Sequence, residues 1–251
     1  MTRPFVFAWH FLTAIPISRR HHTPTPHELA TSMAWYSTVG LLIGGLLALA
    51  DVGLRAWVAA EVDNVLLIVL LVLLTRGLHQ DGLADTVDGL AGGRTVEDRL
   101  RIMRDPRVGA FGATALFLSL LLRYAGLLAL PAAVRLPVLL CMPALGRWAM
   151  VSLAWASPSA RRDGGLAASF LTHLSWHHVL VSSLVLAVAL TTALGGSVAV
   201  ATMGLAMLLL VLIRQRCLTL LGGVTGDVLG ATNELVEILF LLSIPALVMA
   251  R

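Results

Sequence analysis

Seven apolar stretches, each long enough to cross roughly 30 Å of hydrocarbon, dominate this chain of 251 residues: 35–59, 62–78, 109–130, 135–156, 178–194, 196–213 and 235–250. Only 13% of the residues are charged, where soluble domains carry about a quarter, and mean hydropathy is +0.87. The chain therefore reads as an all-α polytopic membrane protein of about seven transmembrane helices, with residues 1–251 as one transmembrane domain embedded in a lipid bilayer. Residues 5–17 are apolar but too short to span and end in Ile-Pro, which suggests a short N-terminal interfacial or re-entrant helix. No small-residue cleavage site marks them as a removable signal peptide. Cys141 and Cys217 sit in or beside apolar runs without CxxC spacing and read as packing residues.

Arginine sets the orientation. The chain contains no lysine, so all eighteen basic residues are arginines. With a cytoplasmic N-terminus, seven spans place segments 1–34, 79–108, 157–177 and 214–234 inside. Arg3, Arg19, Arg20, Arg94, Arg99, Arg101, Arg104, Arg107, Arg161, Arg162, Arg214 and Arg216 then face the cytoplasm, with Arg76 at the boundary. Arg55, Arg135 and Arg251 remain outside. That asymmetry follows the positive-inside rule and gathers the polar motifs on one face. The absence of lysine also excludes a Walker A phosphate site and a Schiff base. Any phosphate bound here is held by metal, arginine and backbone N–H groups.

Three motifs carry the chemistry. In HQDGLADTVDGLAGGR, residues 79–94, Asp81, Asp85 and Asp88 stand at i, i+4 and i+7, one side of a helix. Three carboxylates so placed repel unless a cation lies between them. Mg²⁺, which takes oxygen ligands and shares them with substrate phosphates, is the expected metal on Asp81, Asp85 and Asp88. His79 suits a hydrogen-bonding part beside that cluster better than ligation. In DRLRIMRDPRVGAFG, residues 98–112, Arg101, Arg104 and Arg107 surround Asp105 ahead of Gly109, an arrangement suited to a diphosphate. In GGVTGDVLGATNEL, residues 222–235, Asp227 and Glu234 lie seven apart at the mouth of the last span, where acids are expensive and usually functional. Thr225 and Asn233 read as helix caps.

Other polar residues divide between binding and structure. Arg147, inside the fourth span, is placed to reach a phosphate from the cytoplasmic half. Arg123, nearer the outer surface, and the i, i+4 pair Asp51–Arg55 read as structural. Trp35, Trp148 and Trp155 read as interface or packing aromatics. His21, His22, His27, His173, His177 and His178 lack zinc-site spacing.

Taken in order, FLTAIP, WYSTVGLLIGG, HQDGLADTVDGL, RIMRDPRVGAFG, LGRWAMV and GGVTGDVLGATNEL resemble the bacterial cobalamin synthase family, the adenosylcobinamide-GDP ribazoletransferases, over nearly the whole chain. Ala14 stands where many members have a basic residue, and GGLAASF at 164–170 is a loose form of the family's Gly-rich loop. The resemblance implies an inner-membrane, multi-pass transferase with its active site facing the cytoplasm. It implies Mg²⁺-dependent joining of adenosylcobinamide-GDP to α-ribazole or its 5′-phosphate, with release of GMP. On that reading Asp81, Asp85, Asp88, Asp227 and Glu234 are the catalytic residues; His79, Arg101, Arg104, Asp105, Arg107, Gly109 and Arg147 bind substrate; and the proton acceptor is an aspartate of the cluster, Asp227 or Glu234. Association with other enzymes of the pathway is a family expectation, homo-oligomerisation is left open, and no nucleic-acid partner is expected. Two rivals come from other classes. DTVDGLAGGR echoes only the first half of the CDP-alcohol phosphotransferase signature. A cation transporter would call for repeats or broken helices near the midplane.

Overall fold

The computed structural model describes residues 2–18, 24–161, 170 and 173–249. Arg19, Arg20, His21, His22, Arg162, Arg251 and residues 164–169 of the Gly-rich stretch lie outside them. Among the described residues the structure is helical, with a single isolated β-bridge. Helix α1 (Thr2–Leu12) is followed by α2 (Pro26–Ser32), which passes through a 3₁₀ turn (Met33–Trp35) into α3 (Tyr36–Leu54). Then come α4 (Ala60–Thr75), α5 (Leu78–Gly92), α6 (Val96–Ile102), α7 (Ala110–Ala129) and α8 (Ala132–Trp155). The chain ends with α9 (Trp176–Leu194), α10 (Gly196–Leu221) and α11 (Gly226–Met249).

Among the described residues, six helical stretches are long and apolar enough to cross a membrane: 26–54, α7, α8, α9, α10 and α11, with α4 and α5 together as a bent seventh. The chain is a multi-pass, all-α membrane protein. Helix α8 is its axis. Of its most apolar window 83% is buried, against 22–28% in α7, α9 and α10, whose remaining surface is apolar and suited to lipid. Gly40 and Gly44, four residues apart on α3, let that helix lie directly on α8: a Cβ on Gly40 would stand 2.6 Å from the Pro143 carbonyl. This small-residue stripe substitutes close backbone contact for the hydrophobic drive that lipid does not provide.

Helix α1, eleven residues long, folds back on the bundle and does not reach across it. The Ala14 N–H donates to the Leu74 carbonyl at 2.7 Å, and Arg76 Nη2 donates to the His10 carbonyl at 2.9 Å. Both cysteines are buried and unpaired, as the apolar context implied. At one end of the bundle Arg135 binds Asp51 at 2.6 Å, Asp63 at 2.8 Å and Asn64 at 2.7 Å. The Asp51–Arg55 pair is present at 3.4 Å, but the buried Arg135 is the principal partner of Asp51.

The span boundaries need three corrections. Residues 62–78 are not one straight span: two successive left-handed residues, Arg76 (φ 56°) and Gly77 (φ 67°), break the chain, and α5 leaves α4 at 88°. Helix α10 runs past residue 213 to Leu221, so Arg214 and Arg216 ride on it and Arg214 Nε donates to the Ala156 carbonyl at 2.7 Å. Helix α11 begins at Gly226 rather than 235, which draws much of the third motif into a buried helix.

Candidate active site

The site is made where α5 crosses α11. Gly82 and Gly230 face each other there: a Cβ on Gly82 would stand 2.7 Å from the Asp227 carbonyl oxygen and 3.2 Å from Gly230 Cα. With no side chain between them, the backbones approach closely enough for Asp81 and Asp85 of α5 to join Asp227 of α11. Asp85 feels the negative charges of Asp81, Asp227 and Asp88, opposed by the cation Arg161.

Arg161 reaches the cluster through tertiary pairing. Residues 158–160 lie beside Val224: Ala160 N donates to the Val224 carbonyl and Val224 N to the Pro158 carbonyl, both at 2.9 Å. Arg161 Nη2 then donates to Asp227 Oδ2 at 2.9 Å. Thr225 Oγ1 donates to the same oxygen at 3.2 Å and accepts from Val228 N, so it caps α11 as its sequence position implied.

Asp81, Asp227, His79 and Arg161 line a cavity of ≈ 200 Å³ whose other walls include Phe11, Tyr36, Met150, Phe170 and Leu229. Asp81 also borders an open cleft of ≈ 480 Å³ beside Leu78 and Val108. Arg161 also borders a second cleft, of ≈ 660 Å³, with Arg101, Arg104 and Glu97. An inner chamber thus has two outer clefts, one sharing a carboxylate with it and the other an arginine.

The remaining expected residues fall into two places. Asp88 lies on the same helix but turns to α7, where Oδ2 accepts from Gly109 N at 2.7 Å and Oδ1 from Gly112 N at 2.8 Å. It caps the N-terminus of α7 across twenty-one residues, satisfying donors that the helix leaves unpaired. Gly109 is therefore occupied by Asp88. Asp105 and Arg107 are spent on each other: Arg107 donates from Nε at 2.9 Å, from Nη2 at 2.7 Å and from its backbone N at 3.0 Å. Those bonds hold the Asp105 carboxyl down at about 2. Arg101 pairs with Asp98 at 3.1 Å on the rim of the larger cleft.

Glu234 is not at the mouth of the last span, and Arg147, inside the fourth span as expected, lines neither the cavity nor the two clefts. Glu234 lies two turns deeper than Asp227, fully buried, and accepts from Arg123 Nη2 at 2.7 Å. Arg123 Nη1 donates to Glu237 at 2.7 Å, and Glu237 also accepts from Arg147 and, at 3.1 Å, from Asn233. Asn233 is thus an internal partner and no helix cap. Arg147 is wholly buried and its second amino group lies 3.4 Å from His79 Nδ1. A chain of charges, Glu234–Arg123–Glu237–Arg147–His79, ties α11, α7, α8 and α5 together behind the cavity. Arg123, read from sequence as a structural residue near the outer surface, is central to it.

Sequence reasoning missed Glu237 and the site role of Arg161. Glu237 carried a usable signal, an acid in an apolar helix three residues after Glu234. Arg161 carried none, because only the pairing of its segment with Val224 brings it to Asp227.

A bundle of membrane-crossing helices that shelters carboxylates and arginines beside two clefts is a membrane-embedded site with the groups that phosphate chemistry uses. Among the described residues no group of three or more His, Cys, Asp or Glu side chains is placed to hold a metal ion. The family model described as "Cobalamin-5-phosphate synthase" matches residues 4–245. The chain is 42% identical over 224 residues to the adenosylcobinamide-GDP ribazoletransferase of Syntrophobacter fumaroxidans, covering 87% of this chain and 88% of that one. To the protein of the same name from Chlorobaculum tepidum it is 40% identical over 242 residues, covering 94% and 92%. To that from Pseudomonas entomophila it is 39% identical over 256 residues, covering 98% and 99%. No solved structure matches it. The chain belongs to the cobalamin-5-phosphate synthase family, and it is an enzyme of the nucleotide-loop assembly step of cobalamin biosynthesis.

Proposed function

We propose that this protein transfers the cobinamide-phosphate group of adenosylcobinamide-GDP to α-ribazole or its 5′-phosphate, releasing GMP, at a site on the cytoplasmic face of the inner membrane. The observation that carries the reading is the meeting of Asp81, Asp85 and Asp227 with Arg161 between an inner cavity and an arginine-lined cleft.

The donor set fits Mg²⁺. Carboxylate oxygens are hard ligands, and Asp85 faces three like charges against one nearby cation. Asp81 and Asp85 would hold the ion, with the substrate diphosphate completing its shell, as suits a metal that commonly takes only one or two carboxylates. Bound there, the ion supplies charge neutralisation on the diphosphate and on the departing GMP. Asp88, committed to α7, fixes the direction of α5 and hence of the two ligands.

The protein's own groups do the rest. Arg161, Arg104 and Arg101, on the shared wall and the larger cleft, bind nonbridging phosphoryl oxygens. The ribazole hydroxyl attacks the phosphorus attached to the cobinamide aminopropanol; the new O–P bond forms as the bond to the bridging oxygen of GMP breaks. The hydroxyl proton passes to Asp227, the cavity-wall carboxylate that the ion would leave free to accept it. Glu234 is spent on Arg123 and supports the site from behind.

The test is GMP release by the purified, reconstituted protein from adenosylcobinamide-GDP, α-ribazole 5′-phosphate and Mg²⁺, alongside Asp85→Asn. Turnover is expected to need both substrates and metal and to collapse in the variant. Folded wild-type protein that releases no GMP would overturn the assignment, and CDP-alcohol substrates and ion flux would be assayed next.

A further inference from the structure

The inner cavity differs in character from the clefts on either side. At ≈ 200 Å³ it falls below the about 300–1,000 Å³ usual for pockets that enclose a drug-sized ligand, so neither a corrinoid macrocycle nor a whole nucleotide fits inside. Apart from Asp81, Asp227, His79 and Arg161, the side chains in its walls are aromatic and aliphatic. The Phe11 ring stacks on Tyr36 with centroids 6.2 Å apart and meets Phe170 at 5.2 Å, and Met150 and Leu229 help to close the space. These surfaces suit a flat aromatic group.

One polar feature of that wall has a fixed sense. Arginine only donates, so with Arg147 Nη2 3.4 Å from His79 Nδ1, the histidine nitrogen facing it is the acceptor. The ring proton then sits on Nε2. That atom is buried and has no partner among the described residues, although His79 lines the cavity. A buried donor left unpaired is costly, which marks the place where a ligand acceptor belongs.

We propose that this cavity seats the aromatic base of the acceptor, a flat nitrogen heterocycle carrying one bare ring nitrogen, and that His79 Nε2–H donates to that nitrogen. The assignment rests on the transferase reading above. An N-glycosylated benzimidazole has one such nitrogen and no other polar edge, which suits the unpaired His79 donor beside the Phe11, Tyr36, Met150 and Leu229 surfaces. A guanine base would present several donors and acceptors to the same wall, and it belongs in the larger cleft beside Glu97 and the arginines. Arg147, and behind it Glu237 and Arg123, are then positioning residues that hold the histidine in its donor form.

The experiment measures the KM for each substrate with α-ribazole 5′-phosphate as acceptor, for wild type, Met150→Trp, His79→Phe and His79→Gln. Met150→Trp fills the cavity and His79→Phe removes the donor. Each is expected to raise the acceptor KM by about tenfold or more while the donor-substrate KM stays within about twofold. His79→Gln, which restores an N–H, recovers part of the loss, which a purely structural role for the imidazole would not predict. A rise confined to the donor-substrate KM places guanine in the cavity and overturns the proposal, as does an unchanged acceptor KM in a Met150→Trp protein that still turns over. Calorimetric titration of α-ribazole, without the second substrate, separates this inference from the transferase reading. Met150-sensitive binding by a wild-type protein that releases no GMP keeps the cavity assignment and sinks the transferase. The absence of both turnover and binding sinks the two together.

Discussion

Replacing Gly82 with alanine strikes the contact that assembles the site. The new Cβ would lie 2.7 Å from the Asp227 carbonyl oxygen and 3.2 Å from Gly230 Cα, both backbone atoms that no rotamer change can move aside. Ordinary contact begins near 3.4 Å, so α5 and α11 must part by about 0.7 Å. Overpacking of this kind costs about 1–3 kcal/mol, while alanine returns up to about 1 kcal/mol of helix propensity, so the net loss of stability is modest. Turnover is more sensitive. The parted helices carry Asp81 and Asp85 on one side and Asp227 on the other, and a misplacement of about 1 Å costs on the order of 10²-fold in rate. Gly82→Ala should therefore lower GMP release by about 10- to 100-fold in a protein whose thermal unfolding is only slightly altered. Gly45→Ala is the control: nothing lies within 4 Å of the added methyl, and stability should hold or rise by up to about 1 kcal/mol. If Gly82→Ala keeps turnover within about twofold of wild type, the α5–α11 crossing does not set the site geometry and the argument fails.

Asp88→Ala leaves the Gly109 and Gly112 N–H groups without their acceptor; a loss of about 1.5–3 kcal/mol corresponds to a drop of roughly 3–12 °C in the thermal midpoint, and an unchanged midpoint would refute the capping role. Glu237→Gln leaves Arg123 and Arg147 underpaired in the interior and should destabilise by about 3–5 kcal/mol, visible as poor yield of folded protein; adding Arg147→Met should restore part of it, and no rescue would count against the charge chain. Asp105 is held down at about 2 by Arg107, so its contribution is complete above the ordinary carboxylate range and lost only as pH falls through about 2. Carboxyl NMR of the labelled side chain should show no titration between pH 5 and 3, and a midpoint near 4 would contradict the pair.

The membrane class, the helical fold and the placing of three aspartates on one helix were legible because they depend on local pattern. Apolar runs of bilayer length permit little else, and carboxylates at i, i+4 and i+7 share a helix side wherever that helix packs. The same periodicity says nothing about which neighbour each carboxylate meets. Asp81 and Asp85 turn to Asp227, while Asp88 turns to the start of α7, and only the packing of α5 between those helices separates the two roles. Glu234 and Arg147 read as site residues because buried charge is expensive in a membrane; the structure spends that charge on an internal chain whose middle members, Arg123 and Glu237, carry no motif.

By itself the sequence determined that this chain crosses a membrane as helices, that any phosphate it binds is held without lysine, and that three aspartates share one helix. Those properties belong to single residues and to spacings within one helix. Tertiary structure alone decided that Arg161 joins Asp227, that two glycines bring α5 onto α11, and that an aromatic cavity lies beside the charges. Each of those depends on segments distant in the chain, 66 residues apart for Arg161 and Asp227 and 148 for Gly82 and Gly230, whose meeting is governed by packing and backbone pairing that no local pattern encodes.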